Sequence, residues 1–207
     1  MSYDSSFLSS GARQLTPNEK QLIHDFHFAE DLMLSLKLES QNLLYALPQI
    51  DPEGGDIMEG NFQGIHSSCS EARAVEAVLK LKESFRDRGY LIFVFDDGEY
   101  TKSIAVIRGT DDIDILSYRK TDGFNQNVST EIIKSQLQGW QAEHGLTIIG
   151  CGKDWIEIKF ETLPEDKLEL MTQIQNFCPD VIRKGAESIE NLTAMVQSSK
   201  SVFLWWD

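Results

Sequence analysis

The chain has 207 residues, of which 41% are hydrophobic and 25% are charged, so it can bury a core and is not a disordered tail. Its 33 acidic and 19 basic side chains give a formal net charge of −14, which repels the phosphate groups of nucleic acids and of anionic membranes. No window approaches the roughly 18 consecutive apolar residues of a membrane helix, and the first residues lack the basic and apolar regions of a signal peptide. We therefore expect a cytoplasmic protein with no nucleic-acid or membrane partner.

The cysteines are an odd and widely spaced set of three, Cys69, Cys151 and Cys178. Because no Cys-X-X-Cys pair is present, the spacing predicts neither a zinc site nor a redox dithiol, and reduced, mostly buried thiols are expected. Cys178 would need a nearby histidine to act as a nucleophile. The preceding Phe177 and the following Pro179 favour a buried position instead. We predict no metal and no cofactor.

The first 62 residues are predicted to form an arm, one helix and a connector. Thr16 is the expected N-cap, Pro17 the first helical position and Glu19 the third residue of a capping box. Two prolines and a Gly-Gly pair break any continuation, which makes residues 48–62 a connector. Apolar side chains recur at helical spacing along the predicted helix, at Leu22, Phe26, Ala29, Met33 and Leu36.

Residues 63–207 are predicted to form one α+β domain with a central, mostly antiparallel sheet flanked by helices, to which residues 1–62 add an N-terminal helical extension. Gln63 to Cys69 is an expected edge strand, and Ser70 then caps a helix. The buried stripe of this helix is predicted to be Ala72, Val75, Val78, Leu79 and Phe85.

A hairpin is the next predicted feature. The stretch from Tyr90 to Phe95 is apolar throughout, as in a strand covered on both faces. The Asp97-Gly98 pair is a strong turn signal, so Lys102 to Ile107 is the expected antiparallel partner. Further helices are expected with Ser129 or Thr130 as the cap and from Pro164, with strands in LTIIGCG, in DWIEIKFE and in the C-terminal SVFLWWD.

Several short motifs occur together in the C-terminal two thirds of the chain. They are RGTDDIDIL at 108–116, DGFN at 122–125, GCGKDWIE at 150–157, NFCPDV at 176–181 and the terminal LWWD. From about Gly64 to Asp207 the chain resembles a bacterial domain of unknown function, the family numbered 4253, and the Phe-Cys-Pro-Asp and Trp-Trp-Asp runs are its most specific motifs. The resemblance implies a self-contained, mostly bacterial cytoplasmic domain and carries no activity with it.

Polar residues near these motifs allow an enzyme hypothesis. General acid and base catalysis, or binding of a divalent cation, needs several carboxylates in one pocket. Such a pocket would act on a small polar substrate. In the alternative interpretation, Asp111 or Asp112 caps a short helix, Arg108 pairs with a neighbouring carboxylate, and Asp180 caps the turn that follows it. The candidate catalytic residues are Arg108, Asp112, Asp114, Asn125 and Asp180.

Aromatic and acidic residues on the last two predicted strands are candidates for binding another protein. In a strand, Trp155 and Glu157 point to the same face, which favours a solvated or partner-facing surface. The neighbouring Trp205 and Trp206 would point to opposite faces, so one indole is either packed under a helix or exposed as an anchor. The predicted binding residues are Trp155, Glu157, Trp206 and Asp207.

These observations favour a non-enzymatic, acidic protein-binding module of a bacterial cytoplasm, of the kind found in inhibitors and immunity-type proteins. Known nucleotide, hydrolase and zinc-protease motifs are absent from the sequence. The net charge of −14 predicts a basic protein as the partner. The surplus apolar surface of the N-terminal helix must also be covered, either by docking on residues 63–207, which is favoured, or by pairing in a homodimer.

Overall fold

The computed structural model describes residues 13–51, 57–96 and 102–206. Its contacts divide the chain into two units between Thr110 and Asp111. Each unit holds helices and an antiparallel sheet, which confirms the α+β fold class. Within the described ranges, every helix is too short or too polar to cross a membrane. The predicted boundary between residues 62 and 63 stays a prediction.

The first unit opens with α1 (Pro17–Asp25) and α2 (Glu30–Ser40). The predicted capping box is confirmed, since Thr16 accepts from the backbone N–H of Glu19 and the Glu19 side chain accepts from that of Thr16. The prediction of a single helix is wrong, because His27 has a φ of 56° and the chain leaves the helical conformation there. Apolar spacing runs through this turn and therefore did not reveal it.

The strands of the first unit are β1 (Tyr45–Ile50), β2 (Ile57–Cys69), β3 (Tyr90–Asp96) and β4 (Lys102–Arg108). They form a sheet with the strand order β1-β2-β4-β3, in which every pair is antiparallel. The predicted pairing of β3 with β4 is confirmed, and the Asp97-Gly98 turn lies outside the described residues.

Two predictions about this sheet are wrong. Within the described part of the predicted connector, residues 48–50 belong to β1 and residues 57–62 to β2, and Pro48 occupies an irregular position in the ladder where it pairs with Phe62. A proline is compatible with an edge strand at such a position. The stretch from Gln63 to Cys69 is not an edge strand either, since β2 lies between β1 and β4.

Helix α3 (Glu71–Arg86) contacts β3 and α2. Its buried stripe differs from the predicted one, because Ala72 and Leu79 are exposed. Lys82 lies on the inward face and its Nζ donates to the carbonyl of Ile92 at 2.9 Å, so the true stripe contains a charged residue that a search for apolar spacing passes over. The buried residues of α3 are Ala74, Ala77, Val78, Leu81, Lys82 and Phe85.

Helix α2 is docked on α3 and β2, as favoured for the N-terminal segment. Met33 and Leu36 are fully buried there, so the chain itself covers the apolar surplus of this helix. A homodimer through the same helix stays a prediction.

The second unit contains an antiparallel sheet formed by β5 (Leu146–Cys151), β6 (Trp155–Phe160) and β7 (Ser201–Trp205) in this order, with β7 as its edge strand. Ser129, one of the two predicted caps, caps its longest helix, whereas the helix expected from Pro164 begins at Leu168. The elements are α4 (Asp114–Arg119), a 3-10 helix (Phe124–Gln126), α5 (Thr130–His144), β5 (Leu146–Cys151), β6 (Trp155–Phe160), α6 (Leu168–Phe177), a π-helix (Val181–Ala186), α7 (Ile189–Ser199) and β7 (Ser201–Trp205).

Candidate functional site

Backbone hydrogen bonds bring the sequence motifs of the second unit together. The N–H of Asp122 donates to the carbonyl of Lys153 at 2.8 Å, and the N–H of Trp206 donates to the carbonyl of Asp154 at 3.0 Å. The turn between β5 and β6 therefore contacts both the DGFN loop and the C-terminal segment. We name this assembly the motif cluster, and it consists of residues 121–128, 150–157, 176–186 and 204–206.

The loop at residues 121–128 is closed by a two-residue bridge. The N–H of Gly123 donates to the carbonyl of Val128 at 2.6 Å, and the N–H of Val128 returns a bond to Gly123 at 3.1 Å. The indole of Trp206 packs against this bridge so closely that a Cβ on Gly123 would lie 2.7 Å from its Cγ. The DGFN motif therefore needs glycine at this position for steric reasons.

Side chains fix the loop at both ends. The buried hydroxyl of Thr121 donates to the carbonyl of Gly152 at 2.6 Å. At the other end, Nε2 of Gln126 donates to Oδ2 of Asp180 at 2.9 Å, and Nζ of Lys184 lies 3.6 Å from the same oxygen. The loop is thereby tied to the β5–β6 turn on one side and to the π-helix on the other.

Phe124 lies on the 3-10 helix of this loop, with 85% of its surface exposed. Its N–H donates to Oδ1 of Asp122, so the backbone beneath the ring is also held. Asn125 and Asn127 are exposed beside it, and Gln126 is half-buried. The arrangement is a large exposed apolar ring with amide side chains at nearby positions of a loop with fixed ends.

The interior of the motif cluster is aromatic. Trp206 is 2% exposed, its ring meets that of Phe177 edge to face at 5.5 Å, and its Nε1 lies 3.4 Å from the Phe177 carbonyl, to which it donates. The ring of Trp205 packs against Gly185 of the π-helix, where a Cβ would lie 2.8 Å from Cη2. These contacts explain why the chain has two adjacent tryptophans, since each fills a different place.

Cys178 is fully buried in the same region, and its thiol donates to the carbonyl of Trp205 at 3.1 Å. Burial raises the pKa of this thiol, which keeps it protonated at neutral pH. The preference for a buried position is confirmed. Asp180 differs from its prediction as a cap, because its carboxylate makes no capping bond and contacts Gln126 and Lys184 instead.

The candidate catalytic residues lie in several places. Asp112 is buried, and its Oδ2 accepts from the N–H of Ile148 on β5 at 3.0 Å. Asp111 accepts from the N–H of Ile113 just before α4, in agreement with a role at the start of a short helix. Asp114 is exposed on the first turn of α4. Of the candidates, Asn125 and Asp180 belong to the motif cluster.

Arg108 lies in the first unit, at the end of β4. Its guanidinium donates to the carbonyl of His27, and it lies 5.6 Å and 5.8 Å from the ring centres of Phe28 and Tyr90. Its described partners are thus carbonyl groups and aromatic rings rather than the predicted carboxylate. This residue holds the turn between α1 and α2, and the enzyme hypothesis gains no argument from it.

Two of the predicted binding residues are less exposed than expected. Trp155 is 7% exposed beneath Phe203, with which it stacks at 5.2 Å, and Trp206 is buried. Glu157 is half-buried and pairs with Phe203 across β6 and β7, while Asp207 lies outside the described residues. The exposed aromatic residues here are Phe203, at 40%, and Phe124. The alternation of inward and outward side chains along SVFLWWD could have indicated that Phe203 is exposed. The polar residues next to Phe124 in the sequence could have indicated the same for Phe124.

No group of three or more histidine, cysteine, aspartate or glutamate side chains with the geometry of a metal site occurs among the described residues. A family described as Domain of unknown function (DUF4253) matches residues 103–207, just over half of the chain, and this match covers less than the predicted resemblance from Gly64. Comparisons with curated proteins and with solved structures give no match. The match contains every motif of the motif cluster, and the chain belongs to the DUF4253 family.

Proposed function

We propose that this chain is a non-enzymatic protein-binding module of the bacterial cytoplasm, that its partner is a basic protein, and that Phe124 is the anchor of the interface. The observation that carries the proposal is the 85% exposure of Phe124 on a loop whose two ends are tied to other parts of the motif cluster.

Both the exposure of Phe124 and the fixed ends of its loop support an anchor role. Burying a phenylalanine side chain in a partner's pocket is worth about 1.5 to 3 kcal/mol, and interfaces concentrate their affinity in such buried aromatic groups. A loop that is already fixed loses little conformational entropy on binding. The bridge between Gly123 and Val128 and the bond from Gln126 to Asp180 supply this preorganisation.

The surroundings of Phe124 indicate the chemistry of the partner. Exposed amides at Asn125 and Asn127 can exchange hydrogen bonds with a polar rim around an apolar pocket. Residues 111–207 contain 16 acidic and 9 basic side chains, a net charge of −7, which attracts a positively charged surface and accelerates association at low salt. The expected partner therefore presents an apolar pocket within a basic surface.

Site-specific photo-crosslinking tests the proposal. A photoreactive phenylalanine analogue at position 124 is expected to capture one basic protein in the native host, and the same analogue at Ile132, which is 50% exposed, is the matched control. The captured protein is then purified, and its affinity for the wild type, Phe124→Ser and Ile132→Ser is measured by calorimetry.

We expect Phe124→Ser to weaken this complex at least about tenfold, which corresponds to about 1.4 kcal/mol, and Ile132→Ser to leave it unchanged. Because both side chains are exposed, neither variant should lower the melting temperature. Equal affinities of the two variants, or a captured protein that is acidic, would contradict the proposal.

A further inference from the structure

The outer edge of β7, on the side away from β6, carries backbone groups in a defined pattern. The N–H of Phe160 donates to Lys200, and the N–H of Trp206 donates to Asp154, so these two bonds mark the ends of the β6–β7 ladder. Hydrogen bonding alternates along an antiparallel strand. Positions 200, 202, 204 and 206 therefore face β6, and the backbone groups of Ser201, Phe203 and Trp205 point away from it.

Local contacts occupy both ends of this edge but not its centre. The N–H of Ser201 donates to Oγ of Ser199 at 3.0 Å, and the carbonyl of Trp205 accepts from the thiol of Cys178 at 3.1 Å. Within the described part of the chain, the outward N–H and carbonyl of Phe203 have no such partner. Phe203 thus offers one donor and one acceptor with the spacing of a β-bridge.

An aromatic surface lies on one face of the sheet beside this edge. The ring of Phe203 stacks on Trp155 at 5.2 Å and tilts against Trp205 at 5.8 Å. Phe203 is 40% exposed and Trp205 is half-buried. Glu157 pairs directly with Phe203 and places a carboxylate on the same face.

We propose that an extended, arginine-containing segment of a partner protein adds to β7 as a further strand, pairing with the backbone of Phe203. Side chains at alternate positions of such a strand lie over Phe203 and Trp205. Arginine fits these positions because its planar guanidinium stacks on aromatic rings and can reach the carboxylate of Glu157.

Charge favours this occupant over a second copy of the chain. Residues 111–207 have a net charge of −7, from 16 acidic and 9 basic side chains, so two copies meeting at this edge repel each other. Lys159 pairs with Ser201 and places a positive charge at the other end of this face. We therefore expect the arginine side chains at the end that carries Phe203 and Trp205. This binding site on β7 is separate from the interface proposed around Phe124. A result that contradicts the role of Phe124 would therefore not contradict strand addition to β7.

The probe is a synthetic peptide of alternating arginine and valine, six residues long with blocked ends, titrated into the full-length protein and followed by amide NMR. We expect the Phe203 and Trp205 amides to shift most and the exchange of the Phe203 amide to slow at least about tenfold on saturation. A peptide with glutamate in place of arginine is expected to bind at least about tenfold more weakly.

Two substitutions separate the backbone contribution from that of the ring. Phe203→Leu keeps the outward N–H and should weaken binding about threefold, whereas Phe203→Pro removes that N–H while leaving the bonds to β6 in place and should weaken it at least about tenfold. Phe124→Ser is expected to bind the peptide like the wild type. If Phe203→Pro does not fold, slowed exchange of the wild-type Phe203 amide on saturation with the peptide tests the backbone pairing instead.

Three results would overturn the inference. They are uniform small shifts without protection of the Phe203 amide, equal binding of the arginine and glutamate peptides, and protection of the same amide in concentrated protein without peptide. The last result would identify a second copy as the occupant, and light scattering would then show a dimer.

Discussion

Glu19 and Lys37 form a buried ion pair that joins α1 to α2. Lys37 Nζ lies 2.6 Å from Oε2 of Glu19, and each side chain is 3% exposed. The Glu19 carboxylate also accepts from the backbone N–H groups of Thr16 at 2.7 Å and of Leu44 at 3.0 Å. One side chain thus caps α1, pairs with α2 and holds the chain just before β1.

Removing one partner of this pair is expected to destabilise the protein strongly. Lys37→Met leaves the buried carboxylate of Glu19 without its counter-charge, a change that typically costs about 3 kcal/mol. The double variant Glu19→Gln, Lys37→Met removes both charges while an amide oxygen still accepts from Leu44, so it should recover more than about 1 kcal/mol of that loss. Urea unfolding measures both values. A double variant less stable than Lys37→Met would contradict the interpretation.

The same pair makes stability depend on pH. Burial alone would raise the pKa of Glu19, but the hydrogen bond from Lys37 and those from the backbone of Thr16 and Leu44 outweigh it, and the pKa is lowered. A carboxyl group with a lowered folded pKa stabilises the protein above its ordinary pKa of 4.5, and this contribution is lost as pH falls through the folded pKa.

We expect the free energy of unfolding to fall more steeply in the wild type than in Glu19→Gln between about pH 5 and about pH 3. Urea unfolding at several pH values within this window measures the two slopes, and Asp25→Asn, at an exposed position on α1, is the control for general acid effects. Identical slopes for the wild type and Glu19→Gln would mean that Glu19 does not titrate with unfolding.

At the scale of the elements, the loop at residues 121–128 depends on its contact with Trp206. Gly123→Ala places a Cβ 2.7 Å from Cγ of Trp206, so either the loop or the indole must move, at an expected cost of about 2 kcal/mol. Gly139 lies within α5 with open space around it, and Gly139→Ala should stabilise the protein by about 0.5 to 1 kcal/mol.

Melting temperatures of the two alanine variants test this contrast, and the opposite signs exclude a general effect of replacing glycine. If Gly123→Ala melts like the wild type, the packing of Trp206 does not require glycine. Loss of Phe124-dependent binding by Gly123→Ala at a temperature where it remains folded would show in addition that the bridge positions the anchor.

Features that depend on neighbouring residues could be predicted from the sequence. The capping box from Thr16 to Glu19 and the pairing of β3 with β4 follow from hydrogen bonds and turns within short stretches. The two buried faces of β3 follow from its unbroken apolar run. Such signals do not require knowledge of what packs against the element.

Features that depend on distant partners could not be predicted. The inward face of α3 includes Lys82, whose charge is accommodated by a carbonyl on β3. Pro48 is accepted in β1 because the ladder is irregular there. At the candidate site, burial of Trp206 depends on its packing against Gly123, which lies far away in the sequence. The motifs were visible, but their convergence requires the tertiary structure.

At the scale of the whole molecule, the negative charge is shared by both units. Residues 1–110 contain 17 acidic and 10 basic side chains and residues 111–207 contain 16 and 9, so each part has a net charge of −7. The acidity is therefore not confined to the N-terminal extension. It acts as a long-range field that excludes acidic partners and, at low salt, raises the local concentration of basic ones.

The thiols report on the integrity of both units at once. Cys151 and Cys178 are fully buried, and burial raises the pKa of Cys69 to about 11. Because only a thiolate is alkylated quickly, all three should react with iodoacetamide at neutral pH far more slowly in the folded protein than in urea. Mass spectrometry of the separate peptides measures this, and the rate for Cys69 should keep rising above about pH 10, where an unfolded thiol approaches its plateau. Rapid alkylation of Cys178 in the folded protein would contradict the burial of its thiol beneath Trp205 and would restore the nucleophile hypothesis.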